Sequence, residues 1–277
     1  MDIEAILQTI IQYHTEYISP YLATDYAGGG FQRFELPHLI FLGVVAIYTL
    51  LIIFMRRQLE DDDDKAGVRE VMAQILIIIE IARYIWLYFY QDLAPLNLIP
   101  DVNLKIIPIT LSSLLVWLSI IMLLRKSQKI YEIIYLLGTI PALYIFIMPV
   151  NSPYGFPHFY FFYTLIPPAI IFLSAVYMTV SEEMEINFKS VLRAFLFANI
   201  IVAVVYGFNI YAGTNFLNLI NKPETSLVPL PDAPFHILYF EGFALASSLI
   251  LYLPFLIGHL IRRRNLNADT ERIKDFV

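Results

Sequence analysis

The sequence predicts an all-α, polytopic membrane helix bundle with about seven transmembrane helices, and three observations carry that prediction. Hydrophobic residues make up 58% of the 277 and charged residues only 15%. The mean hydropathy of +0.66 is far from the charge-rich balance of soluble domains. Apolar residues fall in continuous runs near 37–55, 71–90, 104–124, 129–148, 159–180, 189–212 and 236–261. Each run matches the roughly 17–25 residues that a helix needs to cross hydrocarbon. The runs do not alternate in polarity, which excludes the strands of a membrane β-barrel. The expected organisation is therefore an amphipathic surface helix over 1–20, a seven-helix transmembrane domain over 34–261 and a cytoplasmic basic tail over 262–277.

Taken in order, the opening stretch sets Ile3, Ile6, Leu7, Ile10 and Ile11 at helical spacing before Pro20, which predicts a helix lying on the membrane surface or over the bundle. Its acidic start, without a basic region, argues against a cleavable signal peptide. His38 stands at the start of the first span. The string "LEDDDDKAGVRE" between the first two spans reads as a solvated charge run. In the second span, "IIIEIARYIW" places Glu80 and Arg83 three residues apart on one helix face, where they can form an ion pair. The third span begins "LKIIPITLSSLLVWLS" and carries Thr110, Ser112 and Ser113 about 8–14 Å below the outer surface, at about 1.5 Å per residue. Small hydroxyl residues also serve close helix packing. His158 opens the fifth span. Asn209 lies near the outer end of the sixth, and the loop "GTNFLNLINKPETSLVPLPDAPFHILYFEG" brings Asn215, Lys222, His236 and Glu241.

Lysines and arginines orient the bundle. One face holds Arg56, Arg57, Lys65, Arg69, Arg125, Lys126, Lys129, Lys189, Arg193, Arg262, Arg263, Arg264, Arg272 and Lys274, and the other only Arg33, Lys105 and Lys222. The basic face is expected in the cytoplasm, with the amino terminus outside. The chain has no cysteine, so thiol nucleophiles, disulfides and thiolate metal sites are excluded. A Walker loop, a dinucleotide fingerprint and a His-Glu-x-x-His motif are all missing, and neither cofactor nor metal is expected. The basic residues flank spans rather than forming an aromatic-interleaved patch, which argues against nucleic-acid binding.

Ionisable and strongly polar groups in hydrocarbon cost several kcal/mol unless paired or wetted. His38, Glu80, Arg83, Thr110, Ser112, His158, Asn209, Asn215, Lys222, His236 and Glu241 all fall in the middle-to-outer half. That asymmetry predicts a polar cavity opening toward the outer leaflet. Its expected partners are membrane lipid or a small-molecule ligand.

"FELPHLIFLG", "IPITLSSL", "GTNFLNLINKP" and "APFHILYFEG" resemble, in order, landmarks of the bacterial YwaF-like integral membrane proteins. The likeness runs from about 34 to 256. That family is in turn similar to animal membrane proteins assigned as phospholipid acyltransferases. The resemblance implies acyl transfer or hydrolysis on a lipid in a bacterial plasma membrane. It would make Ser112 the nucleophile, standing where the family carries Cys. His158 would be the base, because the His expected further along the fifth span has no counterpart here. Lys222 and Arg83 would then meet a lipid headgroup, and the Asn side chains its oxygens. The alternative is a carrier or receptor-like bundle in which Glu80, Arg83 and Glu241 coordinate a small polar molecule or ion. A third reading is an accessory subunit whose polar pairs serve packing alone.

Overall fold

The computed structural model describes residues 3–56, 58, 61–90, 111–149, 152–223 and 229–275, and among these the secondary structure is entirely helical. The helices are α1 (Ile3–Tyr13), α2 (Leu36–Met55), α3 (Asp62–Tyr90), α4 (Leu111–Arg125), α5 (Gln128–Ile147), α6 (Phe159–Val180), α7 (Phe188–Ala212) and α8 (His236–Asp275). Six are long and apolar enough to cross a membrane, and α4 supplies a shorter apolar stretch. The fold class is the expected one.

Three boundaries differ from the sequence reading. The surface helix ends at Tyr13 and continues as a π turn over His14–Ile18 and a 3-10 turn over Ser19–Tyr21. Pro20 permits this, since it can occupy a first turn but not a helix interior. The acidic run forms the first turn of α3, because Asp62, Asp63 and Asp64 complement the positive end of the helix dipole. The basic tail is no separate element: α8 runs unbroken from His236 to Asp275.

Helix α6 is the hub. It packs on α2, α3, α4 and α5, while α7 and α8 pair with each other and meet the rest through α5. At α6, Leu165, Ala175, Tyr177 and Met178 are fully buried. The outer pair joins the body at a break in α5. Residues Ile134–Gly138 form a π turn, which offers each carbonyl to the amide five residues on. For Leu136 that residue is Pro141, which has no N–H. The hydroxyl of Ser248 on α8 lies 3.2 Å from the Leu136 carbonyl and 2.7 Å from the Ala244 carbonyl of its own helix, so its single proton is shared between them.

Ion pairs gather at the basic end. Arg69 and Lys126 both reach the buried carboxylate of Glu182, Arg193 chelates Glu132 at 2.6 and 2.8 Å, and Arg262 approaches Glu185. Helix α7 starts there with a reciprocal cap: Asn187 accepts from the Ser190 amide and Ser190 from the Asn187 amide. The opposite end holds a different construction. Residues 22–34 form a strap laid against the 152–158 segment, with the Phe31 amide donating to the Ser152 carbonyl at 2.7 Å and the Gly155 amide to the Gly29 carbonyl at 2.9 Å. Gly155 is required by contact: a Cβ there would stand 2.8 Å from the Gly29 oxygen.

Candidate functional site

The predicted Glu80–Arg83 pair forms, and it is buried in the body. Glu80 is fully buried and Arg83 is 9% exposed. The guanidinium donates to one Glu80 oxygen through Nη2 at 2.7 Å and Nε at 3.2 Å. Tyr163 on α6 donates to the other oxygen at 3.3 Å. Nη2 also reaches the Ser113 hydroxyl on α4 at 3.4 Å. The guanidinium carbon lies 4.4 Å from the centre of the Tyr84 ring, a cation–π distance. Three helices thus share one charged knot. A guanidinium has five N–H donors, and Nη1 has no acceptor among the described residues.

Ser113, not Ser112, joins this knot. One residue turns a helix by about 100°, and Ser112 is exposed where Ser113 is buried. Thr110 lies outside the described residues. His158 is no neighbour of Ser112 by hydrogen bond: its Nδ1 accepts the Tyr160 amide at 3.0 Å, and its Nε2 meets the Ala23 carbonyl at 3.1 Å. It caps α6 and ties down the strap. Burial holds this imidazole below its ordinary pKa, partly offset by the Ala23 and Leu22 backbone. His38 repeats the pattern, with Nδ1 accepting the Phe34 amide and Nε2 meeting the Phe146 carbonyl, each at 3.0 Å.

The remaining candidates belong to the α7–α8 connection. Gly213 ends α7 in the left-handed conformation, φ 64°, which glycine adopts without steric cost. Asn209 then clasps the turn: its Oδ1 accepts from the Thr214 hydroxyl and the Phe216 amide, both at 2.8 Å, and its Nδ2 donates to the Phe216 carbonyl at 2.9 Å. Asn215 does the same further on, accepting from the Ile220 and Asn221 amides and donating to the Asn221 carbonyl. Lys222 pairs with Asp232 at 2.8 Å, and this ammonium holds the Asp232 carboxyl below the usual range. His236 closes the loop through Nε2 to the Asn218 carbonyl at 2.8 Å; its buried Nδ1 has no partner among the described residues.

Among the described residues, the polar candidates other than His38 and His158, which bond to backbone at the strap, therefore form two separate hydrogen-bonded groups. Glu80 and Arg83 sit in the body with Ser113 and Tyr163, while Asn209, Asn215, Lys222 and His236 build the loop. Glu241 joins neither. It is half-buried on the inner stripe of α8, in register with Ala244 and Ser248, and it has no ion-pair or hydrogen-bond partner among the described residues. Tyr163 was missed from sequence because one tyrosine in "FYFFYTLIPP" carries no mark of its partner on another helix. Trp86 was missed likewise; its indole donates to the Leu22 carbonyl at 2.7 Å.

A body of apolar helices knotted internally by a charged pair, with lipid-facing outer surfaces, defines a multi-pass integral membrane protein. The TMEM164 family model matches residues 33–252, and the chain belongs to the TMEM164 family. No curated protein and no solved structure matches it.

Proposed function

We propose that this chain is a lipid-binding membrane protein whose headgroup site is Arg83, with its amino terminus outside and its carboxy terminus in the cytoplasm of a bacterial plasma membrane. The observation that carries the reading is the spare capacity of a buried guanidinium. Glu80 fixes its orientation by accepting from Nε and Nη2, and Nη1 has no acceptor among the described residues. A lipid phosphate or ester oxygen is the acceptor most abundant around transmembrane helices, and guanidinium geometry suits it. Neutralisation by Glu80 limits the cost of keeping Arg83 in the bundle between visits.

The narrower reading, supported by the likeness to YwaF-like proteins and the acyltransferases similar to them, adds acyl transfer or hydrolysis with Ser112 as nucleophile and His158 as base. For that, His158 must release Ala23 and meet Ser112. The geometry supports a relative that retains the lipid site more directly than it supports this chemistry.

The test is native mass spectrometry of the full chain in nanodiscs containing phospholipid. Bound phospholipid is expected on the wild type and lost, by about tenfold in occupancy, in the Glu80→Gln/Arg83→Gln double variant, which leaves no unpaired charge. Equal occupancy in both would overturn the site. Ser112→Ala tests the chemistry alone: unchanged lipid turnover removes Ser112 from it. A second reading rests on Glu241, whose half-buried carboxylate lacks a partner among the described residues. That fits a carrier for a cation or small polar molecule, and proteoliposome uptake lost in Glu241→Gln would favour it.

A further inference from the structure

The strap of residues 22–34 is held at both ends by buried histidines that use the same hydrogen-bonding scheme. At its start, the Ala23 carbonyl meets Nε2 of His158. At its end, the Phe34 amide donates to Nδ1 of His38. Each histidine is fully buried. Each has Nδ1 beside a backbone N–H and Nε2 beside a backbone carbonyl. Those partners define the tautomer: Nδ1 carries the lone pair and Nε2 the proton.

An imidazolium has N–H on both nitrogens and no lone pair. Protonation of His158 therefore turns a donor toward the Tyr160 amide and removes the α6 cap. Protonation of His38 does the same against the Phe34 amide. Among the described residues neither ring has an ion-pair partner. Around His158 stand Tyr26 from the strap, Tyr154 from the 152–158 segment and Trp86 from α3, with Tyr160 following on α6. Around His38 stand Phe31 and Phe34 from the strap and Phe146 from α5, while the strap's Arg33 donates away to the Pro149 carbonyl. Among the described residues no carboxylate pairs with either imidazole.

We propose that residues 22–34 are an acid-released lid, locked while His38 and His158 are neutral and freed when they protonate. The lid lies beside the charged knot. Trp86, which holds the Leu22 carbonyl, is one helical turn from Arg83, and its ring packs at 5.2 Å against Tyr160, itself 5.5 Å from Tyr163. Release of the strap uncovers this aromatic layer. Burial keeps His158 below its ordinary value of 6.5, so the lid stays shut at neutral pH and opens only in a more acidic medium. The lid stands apart from the headgroup site at Arg83, because its latch residues touch neither Glu80 nor Arg83 by hydrogen bond.

The absence of cysteine makes a clean probe available. Single variants Ala23→Cys in the strap, Ala27→Cys at an exposed reference position and Met178→Cys in the core are treated with a membrane-impermeant thiol reagent in the full chain in nanodiscs. The rate at Ala23→Cys, divided by that at Ala27→Cys to cancel thiolate chemistry, is expected to rise about tenfold from about pH 7.5 to about pH 5. Met178→Cys is expected to stay unlabelled throughout. On a His38→Gln/His158→Gln background the pH dependence is expected to vanish, whether the strap is held by the amides or stands open at both pH values. A flat ratio in the otherwise native chain, a retained pH response without the histidines, or labelling of Met178→Cys at the same acidity would each overturn the lid. A lipid site that fails its own mass-spectrometric test leaves these outcomes unchanged.

Discussion

Helices α6 and α8 are both apolar, both interrupted by proline and both long enough to span a bilayer, yet half of the apolar window of α6 is buried within the protein and only 11% of that of α8. The difference teaches that apolar composition selects which segments leave water and not which neighbours they meet. Lipid tails are as apolar as leucine, so association inside the membrane depends on packing and on polar contacts. Helix α6 has several such contacts: Tyr163 to Glu80 on α3, His158 to the strap and Thr179 to Tyr131 on α5. Helix α8 has Ser248 on the π turn of α5, Tyr135 from α5 to its Leu251 carbonyl, and His236 at the loop. The hub is cross-linked along its length, and the outer helix is pinned at a few points.

The strongest way to break the comparison is to cut a contact of the body. Arg83→Gln leaves the Glu80 carboxylate buried with, among the described residues, the Tyr163 hydroxyl beside it and no cation, and such an uncompensated charge costs about 3–5 kcal/mol. Thermal denaturation in detergent should show the loss, and Glu80→Gln in the same chain should recover most of it. Next comes packing: Leu165→Ala on α6 removes a fully buried side chain and should cost about 2–5 kcal/mol, whereas Ile250→Ala on α8, 60% exposed, should change little in the same assay. If the two alanines act alike, the body and the outer pair are not energetically distinct. A smaller and local effect is expected from Asn209→Ala, which removes the partners of the half-buried Phe216 amide and carbonyl and should cost about 1 kcal/mol. Limited proteolysis within 213–223 should accelerate before the melting temperature of the body moves. The smallest effect belongs to Lys222→Ala. Its exposed pair with Asp232 should contribute nothing resolvable, and the Asp232 carboxyl, free of the ammonium, should titrate at higher pH by NMR.

The pH dependence of folding has a defined sign at His158. Its folded pKa lies below the unfolded value, so the unfolded chain binds more protons. The stability it confers is full above the ordinary imidazole value and is lost as pH falls below it.

Much of this was legible in the sequence. The Glu80–Arg83 pair follows from a spacing of three on one helix, because local geometry fixes that contact. Its completion by Ser113 and Tyr163 does not: a rotation of one residue separates Ser113 from Ser112, and the hydroxyl of Tyr163 comes from 83 residues away. The three outer histidines were visible as polar residues at helix ends, and a role in chemistry was a fair expectation. Their actual partners are backbone groups, drawn from segments as far as 135 residues off in the case of His158, and composition says nothing of those. The asparagines of the last loop read as ligand contacts because several amide side chains stood together. In the structure they bond to backbone five to seven residues away, replacing hydrogen bonds that an irregular segment cannot make for itself.

The sequence by itself determined that the chain is helical, that it spans a membrane several times and that its cations gather at one end. Those properties depend on the transfer free energy of contiguous residues, a sum taken along the chain. Only the tertiary structure decided that α6 is the hub, that the Glu80–Arg83 pair meets Ser113 and Tyr163, and that two histidines bond to the backbone of the strap. Those outcomes depend on which donor meets which acceptor across helices, and hydrogen bonds of a few ångströms are set by rotation and register that no run of apolar residues encodes.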